Sequence, residues 1–417
     1  MRIIADFHIH SKYSRATSRD MDIDHIATYA KYKGIDLVGT GDFTHPFWFS
    51  NLKEKLMEDG SGILKLKNSR AEDPKFILTA EISNMYNQGS KGRRVHTVLV
   101  APNFTTVAKI IDRLTNLGKL YSDGRPILGI SAKDLAKIIL EINPQCLIIP
   151  AHAWTPWFSI FGSNSGFDSI KECYEELSNN IYSIETGLSS DPEMNWRLSA
   201  LDKITLISNS DAHSPANLGR EANVFELDKN NFTYNEIANI IKTKDPKRFL
   251  NTIEFYPEEG KYHFDGHRNC NLVANPFETK YPDNICPKCG RKLTIGVLNR
   301  VEELADRPVG FQSNNFPGSV HLVPLLEIIA EALKVTPSSQ KVQQEYLKII
   351  NTLGSEFKIL LDLGEGELKN NLPPQIAAGI MNARIGQVET EPGYDGVYGK
   401  VKVLSKNTGA PSQESLF

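Results

Sequence analysis

Short apolar segments alternate with amphipathic segments through residue 255, and this alternation restricts the fold more than any other feature of the chain. Strands are predicted for the apolar segments at residues 35–40, 76–80, 95–100, 146–151, 181–185 and 204–209. Helices are predicted between them, for example at residues 24–33, 106–117 and 131–142. Because such alternation is typical of α/β proteins, we predict an α/β fold in which the helices cover the sheet.

Polar side chains that can bind metals stand at or just beyond the carboxyl ends of the predicted strands. They are His8, His10, Asp42, Glu81, His152, Asp211 and His213. In barrels of parallel strands this rim carries the active site, so the pattern predicts a barrel-like architecture. His8 and His10 lie two residues apart on a strand, which points both imidazoles to the same side. Two such histidines alone are more often merely solvated, and it is the larger set that indicates a site.

His96 and Asp191 complete the set of candidate metal ligands in this part of the chain. A mixture of imidazoles and carboxylates suits two or three ions of Zn, Mn or Fe better than Mg or Ca, which prefer oxygen ligands alone. Clustered ions favour hydrolysis, because one can activate water while another binds the oxygens of a phosphate ester. Glu81 is a candidate bridging ligand between two ions.

Three of the five cysteines cluster in one short segment, which favours a metal site over disulfide bonds. The candidate ligands of this site are His267, Cys270, Cys286 and Cys289. Two pairs of ligands, each separated by two residues, are typical of a structural zinc site, although His263 is an alternative fourth ligand. Four protein ligands close the coordination shell, so this zinc is expected to stabilise the fold and not to catalyse a reaction.

The chain has 417 residues and a net charge of −3, which does not by itself indicate a nucleic-acid-binding protein. No apolar stretch is long enough to span a bilayer and the first strand leaves no room for a signal peptide, so a cytoplasmic location is expected. We expect a barrel at residues 1–255, a zinc-binding segment at 256–295, a helical domain at 296–404 and a disordered tail at 405–417. The clearest helices of the helical domain are predicted at residues 325–333 and 342–353.

Six motifs at the barrel rim follow one another in a characteristic order and spacing. They are His8-Ile9-His10, Thr40-Gly41-Asp42, Ala80-Glu81, His96, Pro150-Ala151-His152 and Ser210-Asp211-Ala212-His213. In this order they resemble the motifs of the polymerase and histidinol phosphatase (PHP) family. The resemblance covers roughly the first 255 residues and implies a distorted (β/α)7 barrel and a metal-dependent phosphoesterase.

The chain departs from the family pattern at two positions. Where the family usually has an acidic residue or histidine shortly after the first motif, this chain reads Ser14-Arg15-Ala16. The usual second motif Thr-Asp-His appears here as Thr40-Gly41-Asp42. Both departures affect the ligands of a third metal position.

The segment from Glu185 to Asp191 and Pro192, taken with the cysteine segment and the helical C-terminus, is similar to the endonuclease Q family along nearly the whole chain. This resemblance implies cleavage of DNA 5′ to a deaminated base, such as uracil, hypoxanthine or xanthine, or to an abasic site. We expect Zn in the cysteine segment and in the rim cluster, with Mg or Mn for catalysis. Asp191 is then the leading catalytic carboxylate, together with Glu81 and His152, although Asp191 before Pro192 also suits a helix N-cap.

An enzyme that acts beside a damaged base gains selectivity if that base leaves the stack and enters a pocket. Large aromatic side chains follow two of the rim motifs and are candidates for the pocket walls. The candidates for DNA and base contacts are Phe47, Trp48, Trp154, Trp157 and Arg268. Aromatic residues in loops more often pack on their own domain, which is the alternative interpretation.

The chain ends in a peptide that resembles those by which bacterial repair proteins bind the sliding clamp. Its candidate contact residues are Gln413, Leu416 and Phe417. Two other functions stay open at this point. One is a small-molecule phosphatase that resembles histidinol phosphatase, and the other is an inactive DNA-binding scaffold tethered to the clamp.

Overall fold

The computed structural model describes residues 1–228, 231–278, 281–313 and 317–404. The predicted clamp-binding peptide, with Gln413, Leu416 and Phe417, lies outside the described residues, and its role stays a prediction. Among the described residues, no helix has the length and apolar character needed to cross a membrane.

The strands and helices follow one another along the whole described chain. The strands are β1 (Arg2–Asp6), β2 (Leu37–Gly39), β3 (Leu56–Glu58), β4 (Leu64–Leu66), β5 (Lys75–Gln88), β6 (Lys91–Ala101), β7 (Ile127–Leu128), β8 (Leu147–Pro150), β9 (Ser183–Glu185), β10 (Thr205–Ile207), β11 (Ala222–Glu226), β12 (Phe249–Glu254), β13 (Asp265–His267), β14 (Leu272–Ala274), β15 (Gly318–His321), β16 (Glu389–Glu391) and β17 (Lys400–Lys402). The α-helices are α1 (Ile23–Lys33), α2 (Pro46–Lys55), α3 (Phe104–Thr115), α4 (Ala132–Ile142), α5 (Ile170–Tyr174), α6 (Pro192–Asn195), α7 (Tyr234–Thr243), α8 (Val297–Leu304), α9 (Leu325–Leu333), α10 (Gln340–Leu353), α11 (Glu365–Asn371) and α12 (Pro374–Arg384). A π-helical turn lies at Lys358–Asp362, and short 3-10 helices lie at Glu175–Asn180, Ser199–Leu201, Pro215–Asn217, Pro257–Glu259, Arg268–Cys270 and Pro282–Asn284.

Seven strands, β1, β2, β5, β6, β8, β9 and β10, form a distorted barrel. Strand β1 pairs in parallel with β2, β2 pairs in parallel with β5, and β6 pairs with both β5 and β8. Strands β9 and β10 are parallel, and a bridge between Ile9 and Ala212 closes the ring beside β1. The predicted α/β class and distorted (β/α)7 barrel are confirmed.

One barrel strand, β6, runs antiparallel to both of its neighbours. It follows β5 in a long hairpin whose two-residue turn, Gly89-Ser90, has positive φ at both positions. Turns of this kind match the twist of paired strands. Strand β5 therefore extends well beyond the predicted end at residue 80, so Glu81 lies within a strand and His96 enters the barrel mouth from the neighbouring strand.

The predicted helices of the barrel are confirmed, and their ends have clear local causes. Helix α4 begins after Ser131, whose hydroxyl accepts a hydrogen bond from the Asp134 backbone N–H. Helix α1 ends at Gly34, which has a φ of 87°. A Cβ at Gly34 would lie 2.5 Å from the Ser355 Oγ, so this glycine also lets the C-terminal region approach the barrel.

The C-terminal helices pack against the barrel through a buried ion pair. The Lys33 Nζ lies 2.8 Å from an oxygen of Glu356, and both side chains are 4% exposed. Glu356 also accepts hydrogen bonds from the Leu325 backbone N–H and the Tyr346 hydroxyl. Helices α9 and α10 confirm the two helices predicted here. Strand β15, which was not predicted, pairs in parallel with β12 and joins this region to the barrel sheet.

Candidate metal centre

Four side chains converge in the mouth of the barrel, and we call them the first metal group: His8, His10, Glu81 and Asp211. The His8 Nε2 lies 3.5 Å from Glu81 Oε2 and 3.6 Å from Asp211 Oδ1. The His10 Nε2 lies 3.2 Å from Glu81 Oε2 and 3.1 Å from Asp211 Oδ1. Four ligands at zinc-like bond lengths in a tetrahedron are separated by about 3.4 Å. The spacing therefore fits a transition-metal ion.

The buried polar atoms of this group point to the same conclusion. The Nε2 atoms of His8 and His10 and the Oδ1 of Asp211 are buried and have no hydrogen-bond partner within the described chain. Buried polar atoms are nearly always satisfied, so three such atoms facing one point indicate a ligand that completes them. A cation is the ligand that two imidazole nitrogens and two carboxylate oxygens can share.

Glu81, His96 and His152 form a second metal group beside the first. The His96 Nδ1 lies 2.7 Å and the His152 Nε2 lies 3.2 Å from Glu81 Oε1, and the two ring nitrogens are 3.3 Å apart. Glu81 thus directs Oε1 to this group and Oε2 to the first. A carboxylate placed in this way could bind one ion through each oxygen, and the bridging role of Glu81 stays a prediction.

Two further carboxylates orient the histidines of the first group. The His8 Nδ1 is 2.9 Å from Glu185, and the His10 Nδ1 is 3.1 Å from Asp42. A hydrogen bond at Nδ1 fixes the ring orientation and leaves Nε2 for a metal.

Asp42 itself does not belong to either group. Its oxygens accept hydrogen bonds from the Ser11 backbone N–H at 2.6 Å, from the Ser11 hydroxyl at 2.7 Å and from the Ser14 hydroxyl at 2.8 Å. All three of these donors contact Oδ2, and His10 contacts Oδ1. Asp42 therefore lies behind His10, where its carboxylate orients the imidazole, and its role as a metal ligand stays a prediction.

Several site residues have unusual backbone conformations. Asp42, His152 and Asp211 have φ angles of 48°, 29° and 46°. Residues other than glycine rarely adopt positive φ, and such strain concentrates at functional sites. The chain turns sharply at the ends of these strands, which brings the side chains into the barrel mouth.

The charges in the cluster stabilise one another. Burial lowers the pKa of His8, but the carboxylates of Glu185, Glu81 and Asp211 raise it well above its ordinary value. Burial raises the pKa of Asp211, but the imidazoles of His8 and His10 hold it well below its ordinary value. Two ions that bind here would displace the imidazole protons, so metal binding releases protons.

His96 differs from the other histidines in its charge. Burial lowers the pKa of His96 to about 4, despite the opposing effect of Glu81. The neutral imidazole is the form that binds metal ions. His213 belongs to neither group. Its Nδ1 lies 2.9 Å from the Asp211 carbonyl oxygen, and its ring is tilted by 46° to the ring of His10 at a centroid distance of 4.4 Å. The role of His213 as a metal ligand stays a prediction.

A cavity of about 790 Å³ opens above the two groups. Aromatic and cationic side chains form its outer walls, and the residues with these properties are Trp157, Phe158, Tyr262, Tyr398, Arg94, Arg125, Arg220 and Lys261. His96, His152, Asp211 and His213 line its inner part. The cavity therefore combines apolar surface with positive charge directly above the predicted ions.

The aromatic residues predicted to contact a base lie in different environments. Trp157 lines the cavity. Trp48 and Trp154 are buried, and their indole N–H groups donate to the Gly41 carbonyl and to the Asn195 side chain, so both predictions are wrong. These tryptophans pack into the core, where their apolar rings are stabilised by burial. Phe47 is 67% exposed on α2 and does not line the cavity.

Asp191, the predicted catalytic carboxylate, caps the short helix α6. Its Oδ1 accepts a hydrogen bond from the Met194 backbone N–H at 2.8 Å, and its Oδ2 lies 3.2 Å from the His321 Nε2. With Glu193 these two residues form a separate group that does not line the cavity. Burial lowers the pKa of His321, but Asp191 raises it to about 9. The N-cap reading of Asp191 is confirmed, and its catalytic role stays a prediction.

The four residues predicted to bind structural zinc lie together. The ligand atoms of His267, Cys270, Cys286 and Cys289 are within 4.8 Å of one another. Burial raises the pKa of Cys286, but backbone N–H groups and His267 lower it to about 6, which favours the thiolate that zinc requires. The rival ligand His263 lies elsewhere, with its Nδ1 3.1 Å from the Ser189 carbonyl. Arg268 follows this segment's first ligand and does not line the cavity, and its contact with DNA stays a prediction.

Comparisons with known proteins match nearly the whole chain. The structure aligns with the lesion-specific endonuclease PfuEndoQ from Pyrococcus furiosus with a TM-score of 0.84 and 33% sequence identity, over 96% of this chain and 95% of that one. An endonuclease Q in complex with a 27-mer duplex substrate, with an abasic lesion at the active site, aligns with a TM-score of 0.86 and 33% identity, over 97% and 98% of the two chains. The chain belongs to the endonuclease Q family.

Two uncharacterized proteins are also similar to this member of the endonuclease Q family. YqxK of Bacillus subtilis is 28% identical over 96% of this chain and 99% of its own length. MJ0043 of Methanocaldococcus jannaschii is 32% identical over 60% of this chain. The matched region covers 31% of the length of MJ0043. The family described as the MJ0043 C-terminal domain matches residues 324–387, which contain helices α9 to α12.

In this endonuclease Q chain, the sequence did not predict three residues that contact the metal groups or Asp191. Glu185 ends strand β9 and could have been found by the same rim rule that identified the other carboxylates. Arg125, whose Nη1 lies 3.0 Å from Glu81 Oε2, belongs to no motif. His321 reaches Asp191 from the C-terminal region, and no local pattern indicates that approach.

Proposed function

We propose that the protein is a metal-dependent DNA repair endonuclease that hydrolyses the phosphodiester 5′ to a deaminated base or an abasic site. The deaminated bases we expect are uracil, hypoxanthine and xanthine, and the expected products carry 3′-hydroxyl and 5′-phosphate ends. The observation that carries this proposal is Glu81, whose two oxygens serve two adjacent metal groups beneath a large open cavity. Membership of the endonuclease Q family supports the same reaction class.

We infer that each metal group holds one divalent ion, with Glu81 shared between them. Bound ions of this kind lower the pKa of a water molecule and stabilise the charge on a phosphate ester. The protein supplies the geometry: Glu185 and Asp42 hold His8 and His10 with Nε2 free. The donor set favours Zn or Mn in these groups, and Mg is the alternative that added-metal assays separate.

DNA is the proposed partner, and the cavity supports a flipped nucleotide as the bound group. Its volume of about 790 Å³ lies in the range of about 300–1,000 Å³ that holds small ligands. Trp157 and Tyr262 stand 6.0 Å apart at its wall, and Lys261 lies over the Tyr398 ring. Aromatic faces stack on bases and cations attract phosphates, so these walls suit an extruded nucleotide. A relative in the family binds a duplex with an abasic lesion at its active site.

The alternative functions are less well supported. A small-molecule phosphatase has no use for the cysteine segment and C-terminal helices, yet the family likeness extends through both. An inactive scaffold would not need two sets of converging ligands, the first of which has buried atoms that lack partners within the described chain. We retain the zinc-binding segment at residues 256–295 and the helical DNA-binding domain at 296–404 as parts of the proposed enzyme.

The decisive experiment uses labelled duplexes that carry uracil, hypoxanthine, xanthine, an abasic site or no lesion. Each is incubated with protein and with Zn, Mn or Mg, and histidinol phosphate is assayed in parallel. We expect cleavage 5′ to the lesion only in the damaged duplexes. Glu81→Gln and His152→Asn are expected to abolish it, and Asp191→Asn is expected to retain lesion binding while cutting is lost. Equal cutting of all duplexes, or release of phosphate from histidinol phosphate alone, would contradict the proposal.

A further inference from the structure

The cavity above the two metal groups contains an arginine that no motif predicts. Arg125 lines the cavity, its side chain is 27% exposed, and its Nη1 donates to Glu81 Oε2 at 3.0 Å. Its guanidinium also lies close enough to Asp211 and His213 for electrostatic interaction. A fixed positive charge therefore stands at the place where the two groups meet the open cavity.

The backbone around Arg125 holds the side chain in this position. The Arg125 backbone N–H donates to Asp123 Oδ1 at 3.1 Å, and the next carbonyl, that of Pro126, accepts from the Ser83 N–H on β5 at 3.0 Å. The preceding residue, Gly124, packs directly on Asp42 and Ser14, where any Cβ would overlap their side chains. The loop is thus tied both to the strand that carries Glu81 and to the wall of the site.

Among the described residues, no further group of metal-binding side chains shares a residue with the two metal groups of the barrel mouth. The oxygens of Asp42 are satisfied by Ser11, Ser14 and His10, and Ala16 at the cavity wall has no ligand atom. Arg125 supplies a positive charge beside Glu81 and near Asp211.

A guanidinium has five N–H donors. Within the described chain, the Arg125 side chain donates one hydrogen bond, from Nη1 to Glu81, and contacts no other acceptor. The remaining donors are available at the cavity. Their planar arrangement matches the two non-bridging oxygens of a phosphodiester. A preorganised cation at such a position stabilises the charge that develops during displacement at phosphorus.

We propose that Arg125 is a catalytic residue that donates hydrogen bonds to a non-bridging oxygen of the scissile phosphodiester, a role that rests on the proposed function. In the reaction a water oxygen bonds to phosphorus and releases a proton to solvent, and the bond from phosphorus to the 3′-oxygen breaks. The 3′-oxygen keeps the electron pair of that bond and takes up a proton from solvent, which leaves a 3′-hydroxyl and a 5′-phosphate. Arg125 stays protonated throughout and neutralises charge on the phosphate.

The test compares Arg125→Ala, Arg125→Lys and a matched control, Arg113→Gln, which changes an exposed arginine on α3 away from the cavity. Three quantities are measured: ions bound per chain, the affinity of the metal-loaded protein for inorganic phosphate, and kcat and KM on lesion duplexes. Removal of one preorganised donor typically lowers kcat by about 100- to 1,000-fold. We expect that loss for Arg125→Ala with the ion count unchanged, phosphate affinity lowered about tenfold and partial recovery of kcat by added guanidinium. Arg113→Gln should match the wild type.

The outcomes separate this proposal from its rivals. If Arg125→Ala loses ions and guanidinium restores nothing, then Arg125 only holds Glu81 in place and the proposal is overturned. An unchanged phosphate affinity with unchanged kcat would also overturn it. If the wild type cuts no lesion duplex while Arg125→Ala still weakens phosphate binding, the proposed function fails and the arginine contact stands.

Discussion

Replacement of Gly187 by alanine tests whether the second metal group depends on close backbone packing. Gly187 follows strand β9 and has a φ of 74°. A Cβ at this residue would lie 2.7 Å from both the Cα and the Cβ of His152. Because both atoms belong to the rigid part of His152, no change of side-chain rotamer relieves the overlap. The substitution must therefore displace His152 or the backbone at residue 187, and we expect the contact of His152 with Glu81 to be disturbed.

Gly60 provides a matched control. It has a φ of 87°, and no atom lies within 4 Å of the position of its Cβ. Left-handed backbone costs an alanine about 1–2 kcal/mol, and this cost applies to both glycines. Overpacking adds about 1–3 kcal/mol at Gly187 alone. We therefore expect a loss of about 1–2 kcal/mol for Gly60→Ala and about 2–5 kcal/mol for Gly187→Ala.

Thermal unfolding and metal analysis measure the two consequences. At about 2.1 cal/mol/K of unfolding entropy per residue, a chain of this length loses roughly 1 °C of Tm per kcal/mol. We expect Gly187→Ala to bind fewer ions than the wild type and to cut lesion duplexes poorly, while Gly60→Ala keeps both properties. The reasoning is refuted if Gly187→Ala binds as many ions and cuts as fast as Gly60→Ala.

Three further predictions concern other parts of the chain. Cys286→Ser should release one zinc ion per chain and lower the Tm, because a closed zinc site stabilises its segment; retention of zinc in metal analysis would contradict this. Burial lowers the pKa of His321, but Asp191 raises it to about 9, so the stabilisation is complete below about pH 6.5 and lost as the pH rises through 9. His321→Gln should therefore lower the Tm at pH 6 and have little effect at pH 10, and an equal effect at both values would argue against the ion pair. Removal of residues 413–417 should abolish binding to the bacterial sliding clamp in a pull-down while cleavage of free lesion DNA stays unchanged, and clamp binding that survives the truncation would exclude the peptide.

Much of the fold could be predicted because its causes are local. Apolar periodicity located the barrel strands, and short-range signals located the helix ends, as with Ser131 before α4 and Gly34 after α1. The two-residue spacing of the cysteine segment indicated its four ligands, which the structure brings within 4.8 Å of one another. The direction of β6 was not predictable in this way, because an apolar run has the same pattern in either direction.

The sequence predicted the types of residue in the candidate site. It predicted only some of the contacts between them. His8, His10, Glu81, His96, His152 and Asp211 all stand in the two metal groups. Asp42 carries the right chemistry, yet its described contacts are with Ser11 and Ser14 at Oδ2 and with His10 at Oδ1. Whether a tryptophan in a loop is exposed, as Trp157 is in part, or buried, as Trp154 is, depends on what packs on it.

By itself the sequence determined which chemical groups the chain carries and the order in which they leave the strands. That information comes from periodicity and spacing, which are properties of short stretches of sequence. The tertiary structure alone decided that Glu185 orients His8 across 177 residues and that Arg125 reaches Glu81 across 44. Such contacts arise when closure of the barrel brings distant loops to one rim, and no local pattern encodes the distance between two side chains that meet only after the chain has folded.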